Sequence, residues 1–419
     1  MIDKGVLKDI WEKILVGHEI FFFGNFWGSS GVGLFNSLVD NHPQLYTLPF
    51  PLYQTPLNGE DFDSFDKSEH LRILRESSPV FFNTSLDKNP NSSLNKLGQS
   101  RDQWIEIDKD DFNAYLDLFL ESVPFTYKNY LLAVTAAYNL ALGRRPETAK
   151  FCFSVHDLRR AVELKKLVPG CRIIGMARHP LNTYKSYCRR CVNVLADERR
   201  DKKQNNHLEY FLPCDTPLFK DFFDLIADFD GQVGCVVLEE LHANPRDSMR
   251  NIAEYMGIDF DESLLQTTAG GELWCGSHYT RVSGFSKDLH RVVDSKYVGL
   301  SDALALLRTT LHYQRYLGYT MRSNVRLAER IISRLLAKRY YLERIKLFFS
   351  GIRKNGLVGA MGRHLLSTTR DLYHYSRIRL GSENHVIYGL EARDRKMDYS
   401  KIKILNPLTR GSIEAEQRL

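Results

Sequence analysis

The 419-residue chain lacks the features that would place it in a membrane or in a disulfide-bonded secreted class. It contains no run of about 18 apolar residues, so we expect no membrane-spanning helix. Its first residues form no apolar segment typical of a signal peptide, and we expect them to enter the first strand almost at once. The seven cysteines are odd in number and scattered, which favours reduced thiols in a cytoplasmic protein.

Common metal and nucleotide motifs are also missing. Cys188 and Cys191 form a CxxC without a partner pair, so we expect no metal site. A Walker A loop would place Lys and then Ser or Thr after its last glycine, but Leu34 follows Gly33. The glycine intervals do not match GxGxxG either. Since residues 14–66 contain no Lys or Arg, an anion bound there would need main-chain amides, hydroxyls or a cation from elsewhere.

A glycine-dense turn is the most informative feature that is present. The apolar run Ile20–Phe23 is typical of a buried strand, and apolar residues at helical spacing follow the turn until His42 and Pro43 end the helix. An ordinary strand–helix turn also uses glycine for positive φ. However, this arrangement directs several N–H groups toward one point, where a phosphate- or sulfate-bearing ligand would bind. The residues of this glycine turn are Gly28, Ser29, Ser30, Gly31, Val32 and Gly33.

A second candidate anion site follows another apolar run. Arg172–Ala177 reads as a buried strand with Arg178 at its carboxyl end, and the chain then turns at His179 and Pro180. Ser186 comes eight residues after Arg178, about two turns into the next helix. The two side chains together would bind an anion, although a surface arginine and a solvated helical serine remain the alternative.

Together these segments resemble sulfotransferases that use 3′-phosphoadenosine 5′-phosphosulfate (PAPS). The glycine turn resembles their 5′-phosphosulfate loop, and Arg178 with Ser186 resembles their 3′-phosphate motif. Val233–Pro245 is similar to the strand, YEDL segment and proline of that family, and Leu311–Tyr319 is similar to its closing helix. The resemblance covers residues 18–320. The residues that match the first two motifs are Gly24, Ser30, Gly31, Arg178, Pro180 and Ser186.

The resemblance implies a fold and a reaction. The fold would be α/β, with three layers, a central parallel sheet and a P-loop-like arrangement. The reaction would move a sulfuryl group from PAPS, as co-substrate and without a metal, to a hydroxyl of a small molecule, glycan or lipid. Departures from the family pattern leave a second reading open. Ser29 replaces the usual Lys or Arg, and Val32 with Gly33 replaces a hydroxyl pair. A catalytically impaired nucleotide-binding or scaffold protein is therefore the alternative, and a P-loop kinase is disfavoured by the missing lysine.

His156 is the candidate general base. It follows the predicted strand Lys150–Val155, and an imidazole titrates near neutral pH. It also matches the position of the catalytic histidine in cytosolic sulfotransferases. Since other branches use a carboxylate, Asp157 is the alternative. A cation from elsewhere in the chain would replace the one missing from the glycine turn. The sequence does not distinguish among four candidates: Lys150, Arg159, Arg160 and Arg281.

Residues 272–293 are polar and aromatic, with basic residues interspersed. They resemble the late loop that closes over the nucleotide in sulfotransferases, and this resemblance makes Arg281 a candidate contact of the 3′-phosphate. Trp27 or Trp274 is a candidate for stacking on adenine, although burial in the protein is the commoner environment of tryptophan.

The remaining pattern sets the expected organisation. Four strands are expected at Ile20–Phe23, Lys150–Val155, Arg172–Ala177 and Val233–Leu238, with ligands at their carboxyl ends. Residues 55–105 form an acidic insertion of low periodicity, expected to be a loop or lid over the acceptor, and Phe112–Gly143 predicts one or two helices.

The C-terminal quarter differs from the rest in charge. We expect an α/β domain over residues 1–320 and a basic, mostly helical extension over 321–419. Residues 322–379 contain 14 Lys and Arg against three Asp and Glu, although the whole chain carries only +6. Apolar positions at helical spacing predict either an amphipathic segment on an anionic membrane or a helical appendage with solvated charges. Nucleic-acid binding is not expected.

Overall fold

The computed structural model describes residues 2–26, 30–59, 62–89, 92–180, 182–184, 186, 233–276, 283–286, 317–319 and 402–406. The chain divides into two compact units. The first contains Met1–Arg178, Asp224–Val292 and Tyr399–Leu419, and the second contains His179–Phe223 and Val293–Asp398. Every strand that the structure describes lies in the first unit.

A parallel sheet forms the centre of the first unit. In chain order the strands are β1 Glu19–Asn25, β2 Leu45–Thr47, β3 Lys150–Asp157, β4 Arg172–Ala177, β5 Val233–Val237, β6 Thr268–Ala269, β7 Glu272–Leu273 and β8 Ile402–Ile404. Six of them form one sheet in the order β2-β3-β1-β4-β5-β8, and all neighbouring pairs are parallel. β6 and β7 form a separate antiparallel hairpin.

Nine α-helices are described. They are α1 Lys4–Gly17, α2 Val32–Val39, α3 Lys67–Glu76, α4 Pro79–Phe82, α5 Lys109–Glu121, α6 Tyr127–Ala141, α7 Leu158–Leu167, α8 Leu238–Ala243 and α9 Pro245–Met256. Several begin at a side-chain cap: the Asp108 carboxylate accepts from two amides of α5, and the Thr126 hydroxyl from one of α6. α9 ends at Gly257, whose φ of 65° a residue with Cβ adopts only at a cost.

Apolar side chains cover both faces of the sheet. Phe21 and Phe23 of β1 pack on one face with residues of α2, α8 and α9. Because side chains alternate along a strand, Phe22 lies on the other face, where its ring is 5.8 Å from that of Phe153. Each fully buried phenylalanine contributes roughly 1.5–3 kcal/mol. The predicted α/β fold with a central parallel sheet between two layers is confirmed.

The four predicted strands are present, with bounds that differ from expectation by at most two residues. The helix after the glycine turn is also present, and Phe112–Gly143 contains two helices, α5 and α6. The short strands β2 and β8 were not expected, since three residues carry too little pattern to stand out from a loop.

The expectation that the chain enters β1 almost at once is wrong, because α1 precedes it. Leu7, Trp11 and Ile14 are buried at helical spacing, and the Trp11 ring stacks on Phe119 with centroids 4.8 Å apart. The Asp3 carboxylate caps the helix by accepting from the amides of Gly5 and Val6. The helix was therefore encoded by a cap and an apolar stripe.

The insertion at residues 55–105 is only partly a loop. It contains α3, whose His70 and Leu74 are buried, and the short α4. Its last part packs against the β6–β7 hairpin, where the Gly98 amide donates to the Leu273 carbonyl at 2.8 Å. Because α3 is mostly charged and its apolar stripe is narrow, the composition of residues 55–105 did not indicate this helix.

Part of the predicted C-terminal extension belongs to the sheet. β8 pairs with β5, and the Leu405 amide donates to the Cys235 carbonyl at 2.8 Å. Other residues after Tyr319 lie outside the described part, as do residues 311–316 of the predicted closing helix, so the domain boundary and the helical extension stay predictions. Among the residues described, no helix has the length and apolar character needed to cross a membrane.

Candidate functional site

The sheet places several predicted residues at one edge. β3, β1 and β4 are neighbours and run parallel, so they end together; we call this the carboxyl edge, marked by His156, Asn25 and Ala177. His156 pairs in register with Gly24, and Asn25 with Met176. The glycine turn follows β1 and Arg178 follows β4. α2 leads from β1 to β2 on one side of β1, whereas the chain after β4 leads to β5 on the other side. Such divergent connections open a crevice between strand ends.

The described part of the glycine turn, residues 30–33, offers main-chain groups for binding an anion. Trp27, Gly28 and Ser29 lie outside the described residues. Ser30 and Val32 are buried, whereas Gly31 is half-buried and Gly33 exposed. Gly31 has φ 97°, and a Cβ on it would lie 2.5 Å from Leu238 Cδ1. Only glycine therefore fits this position without displacement, which brings the main chain close to the start of α8.

His156 lies at an irregular point of β3. Phe23 pairs with Ser154 while Gly24 pairs with His156, so Val155 is an extra residue, as in a β-bulge. His156 has φ 64° and an exposed side chain. A non-glycine residue in this region costs roughly 1–3 kcal/mol, and such residues cluster at functional sites. Its ring lies 5.2 Å from that of Tyr53, which is 49% exposed.

Asn25 connects these two features and was not singled out from the sequence. Its Nδ2 donates to the His156 carbonyl at 2.9 Å, and its Oδ1 accepts from the Ser30 amide at 3.2 Å. The residue is 5% exposed. A polar residue directly after the apolar run of β1 was the available signal, because a buried amide needs specific partners.

Asp157, the alternative base, has a structural role. Its carboxylate caps α7 by accepting from the Arg159 amide at 2.9 Å, and it forms an ion pair with the Arg159 guanidinium at 2.6 Å. The Asp157 carboxylate is therefore engaged as a helix cap and ion-pair partner, whereas the His156 side chain is exposed. The choice between them as general base stays a prediction.

The candidate cations occupy different places. Lys150 was wrong as a candidate for the site: it begins β3, roughly 20 Å along the strand from His156, and pairs with Glu19. Arg160 forms an ion pair with Glu163 at 2.5 Å and donates to Asn58 Oδ1 at 2.8 Å. Arg281 lies outside the described residues. The cation that would replace the missing lysine stays undecided.

The second anion motif is divided between the two units. Arg178, half-buried, directly follows β4 in the first unit, and Ser186 is helical in the second. Within the second unit the Thr183 amide donates to the His179 carbonyl at 3.0 Å, and the rings of His179 and Tyr319 meet edge to face. Joint binding of an anion by Arg178 and Ser186 stays a prediction.

Two buried acids follow β5. Glu239 and Glu240 are each 3% exposed, and the Glu240 carboxylate accepts from the Asn244 amide. His242 is also buried, and its Nδ1 accepts from the Ser286 amide at 3.1 Å. The segment that resembles YEDL is therefore packed inside the unit, where Leu238 lies beside Gly31.

The start of the late polar segment is ordered by pairing. Glu272–Leu273 forms β7, and the half-buried Trp274 donates through Nε1 to Ser93 Oγ at 2.9 Å. The indole lies 3.9 Å from the point where a Gly33 Cβ would be. Trp274 therefore lies beside the glycine turn, while its stacking on adenine stays a prediction. The described residues contain no group of three or more His, Cys, Asp or Glu placed to bind a metal ion.

The chain has fold neighbours but no sequence match. No protein-family profile and no curated protein matches it. The sulfotransferase domain from the Synechococcus PCC 7002 olefin synthase is similar over 73% of this chain and 96% of its own, with 17% identity and a TM-score of 0.36.

Two further solved structures show a comparable level of similarity. The sulfotransferase domain from the curacin biosynthetic pathway covers 70% of this chain and 98% of its own, with 11% identity and a TM-score of 0.35. Sulfotransferase STF9 from Mycobacterium avium covers 74% of this chain and 80% of its own, with 14% identity and a TM-score of 0.35. At such values, function must rest on the geometry of the carboxyl edge.

Proposed function

We propose that this protein is a sulfotransferase that moves a sulfuryl group from PAPS to a hydroxyl acceptor. One observation carries the proposal: the ends of three adjacent parallel strands bring His156, the glycine turn and Arg178 to one edge of the sheet. An anion-binding turn and a proton acceptor on the same edge are the parts that group transfer from an anionic donor needs.

The donor would be held mainly by its two anionic ends. Main-chain amides of Gly31, Val32 and Gly33, at the start of α2, would donate to the phosphosulfate, since a helix start favours negative charge. Arg178 would pair with the 3′-phosphate, with Arg281 as a second candidate contact. Amide donors stabilise the charge that builds on the leaving phosphate as the sulfur–oxygen bond breaks.

His156 would accept the proton of the attacking hydroxyl. Its exposed ring at the end of β3 is accessible to an acceptor, and its left-handed main chain directs the side chain away from the regular strand positions. General-base catalysis of this kind contributes typically 10²–10⁴-fold. The exposed Tyr53 ring beside His156 would line the acceptor site together with part of the 55–105 insertion.

A protein of the same fold without the chemistry is the second candidate. Ser29 at the position of the family's Lys or Arg favours it, because that cation stabilises the transferred group. Such a protein would bind the nucleotide but transfer nothing.

Nucleotide binding is tested first by thermal shift, with adenosine 3′,5′-bisphosphate in one arm and ATP with magnesium in the other. We expect stabilisation by the bisphosphate. Stabilisation by ATP alone would support a kinase and contradict the proposal.

Transfer is tested next with radiolabelled PAPS and a panel of carbohydrate, lipid and phenolic hydroxyls. We expect His156→Ala to lower kcat by about 10²–10⁴-fold while bisphosphate binding is retained. His18→Ala is the matched control, because His18 precedes β1 at the opposite edge of the sheet and contacts the end of α1. Full activity of His156→Ala would remove it as the base, and bisphosphate binding without transfer to any acceptor would favour the second candidate.

The basic segment of residues 322–379 would bring the enzyme to an anionic membrane surface. Truncation at Tyr319 is a poor test, because it also removes β8 from the sheet. Replacing Arg326, Arg330 and Arg334 with Gln leaves β8 intact, and we expect weaker co-sedimentation with phosphatidylserine vesicles than for the unchanged chain. Equal sedimentation would favour the helical appendage with solvated charges.

A further inference from the structure

Asn25 joins the main chains of two segments that are far apart in sequence. Its amide nitrogen donates to the carbonyl of His156, 131 residues away, and its amide oxygen accepts from the N–H of Ser30. The orientation of the amide is unambiguous, since a carbonyl only accepts and an N–H only donates. One planar group therefore spans the end of β3 and the glycine turn.

Both partners lie where regular pairing is interrupted. His156 follows the extra residue Val155 and has left-handed φ, and Ser30 precedes Gly31, which also has positive φ. The hydrogen bonds between strands hold these two positions less firmly than they hold the interior of a strand. Asn25 is 5% exposed, so water competes little for its two hydrogen bonds.

We infer that Asn25 is a positioning residue that sets the distance and orientation between His156 and the glycine turn. The inference rests on the proposed function, in which these segments hold the base and the sulfuryl donor. In-line transfer depends on such placement, and a shift of about 1 Å can cost 10²-fold in rate. Other residue types do not replace it: Asp lacks the N–H donor, and Ser offers a single short hydroxyl.

The first test compares Asn25→Ala with Asn139→Ala. Asn139 is a control that is also buried, and its Nδ2 donates to the carbonyls of Thr47 and Thr135. We expect Asn25→Ala to lower kcat about 10²-fold and to weaken bisphosphate binding roughly threefold to tenfold. Asn139→Ala should lose comparable thermal stability but keep kcat. Retention of kcat and of bisphosphate affinity by Asn25→Ala would overturn the inference.

The second test needs no ligand, so its result is independent of the reaction. It measures hydrogen exchange of the Ser30 amide and the NMR shifts of the His156 ring protons. Asn25→Ala should speed the exchange and move the ring signals, whereas Asn139→Ala should change neither. At low pH, Asn25→Asp should resemble the unchanged protein in Ser30 exchange and His156 ring shifts, because a protonated carboxyl both donates and accepts. Once the carboxyl is ionised, both observables should differ from those of the unchanged protein.

The two tests separate the inference from the proposed function. If the unchanged protein neither binds bisphosphate nor transfers sulfate, the proposed function fails. Altered Ser30 exchange and His156 signals in Asn25→Ala would then still support the coupling of the two segments. Unaltered exchange and ring signals would overturn the coupling even in an active enzyme.

Discussion

The two edges of the central sheet are built by different means. At the amino edge, where β1, β3 and β4 begin, Glu19 pairs with Lys150 and with Arg172. The guanidinium of Arg172 also lies over the Tyr255 ring, 4.2 Å from its centroid. At the carboxyl edge the same strands end in a bulge, a left-handed histidine and a glycine turn. Ion pairs between side chains stabilise the amino edge, whereas main-chain conformation determines the structure of the carboxyl edge.

The difference separates two ways of fixing the ends of strands. Opposite charges at the strand starts compensate one another with ordinary backbone conformations. At the carboxyl edge His156 and Gly31 adopt conformations that cost free energy or need a specific residue type, and the buried amide of Asn25 links His156 to Ser30, the residue before Gly31. Strain of this kind persists where a site needs a particular geometry. Substitutions at the carboxyl edge should therefore lower the free energy of unfolding by amounts that depend on the exact position.

The largest effect is expected at the end of β5, also on the carboxyl edge. Asn406 Nδ2 donates to the Val237 carbonyl at 2.9 Å, and Oδ1 accepts from the Val237 amide at 2.7 Å. Asn406→Ala leaves both buried groups unpaired, so the free energy of unfolding should fall by about 2–4 kcal/mol. Urea denaturation measures this. Lys403→Ala, at an exposed position of β8, should stay within about 0.5 kcal/mol; an equal loss in both would show that Asn406 is not specifically required.

The next effect distinguishes two glycines of one turn. Gly31→Ala places a methyl 2.5 Å from Leu238 Cδ1 at φ 97°, and should cost about 2–3 kcal/mol. Gly33→Ala lies in the first turn of α2 with its nearest neighbour, Trp274, at 3.9 Å, and should be neutral or stabilise by about 0.5–1 kcal/mol. Chemical denaturation of both variants is the check. Similar losses would mean that the close approach at Leu238 relaxes freely.

A smaller effect tests the strain at His156. Both His156→Gly and His156→Ala remove the imidazole, but only glycine adopts φ 64° without a Cβ penalty. The glycine variant should therefore be the more stable of the two by about 1 kcal/mol. Equal unfolding free energies, or a more stable alanine variant, would show that the left-handed conformation carries no strain.

The smallest effect belongs to the amino edge and depends on pH. His42, three residues before β2, accepts from the Gln44 amide through Nδ1 and donates through Nε2 to the Asp259 carbonyl. Burial lowers the pKa of His42 below its ordinary 6.5, although nearby acids oppose this shift. The unfolded chain then takes up the proton more readily than the folded one. The contribution of neutral His42 is therefore present above the unfolded pKa and is lost as pH falls through and below 6.5.

The measurement compares the unchanged protein with His42→Asn by urea denaturation at about pH 7.5 and about pH 5.5. On acidification the unchanged protein should lose more stability than the variant. Parallel losses would show that protonation of His42 is not coupled to unfolding.

The sequence was informative where a segment carries its own pattern. The apolar runs of β1, β3, β4 and β5 and the glycines before α2 were each readable within a few residues. Asn25 was not, because its importance lies in partners on two other segments. β8 was hidden for the same reason: Ile402–Ile404 is too short to form a strand alone, and pairing with β5 makes it one.

The sequence alone determined β1, β3, β4, β5 and the glycine turn, since local apolar periodicity and backbone freedom act over a few residues. Only the tertiary structure decided the strand order, which places β3 beside β1 and brings His156 to Asn25. It also decided that Lys150 lies at the far end of the strand from His156 and that Asp157 serves as a cap. Hydrogen bonds and packing between distant segments set these relations, and their energies appear only when the sheet has formed.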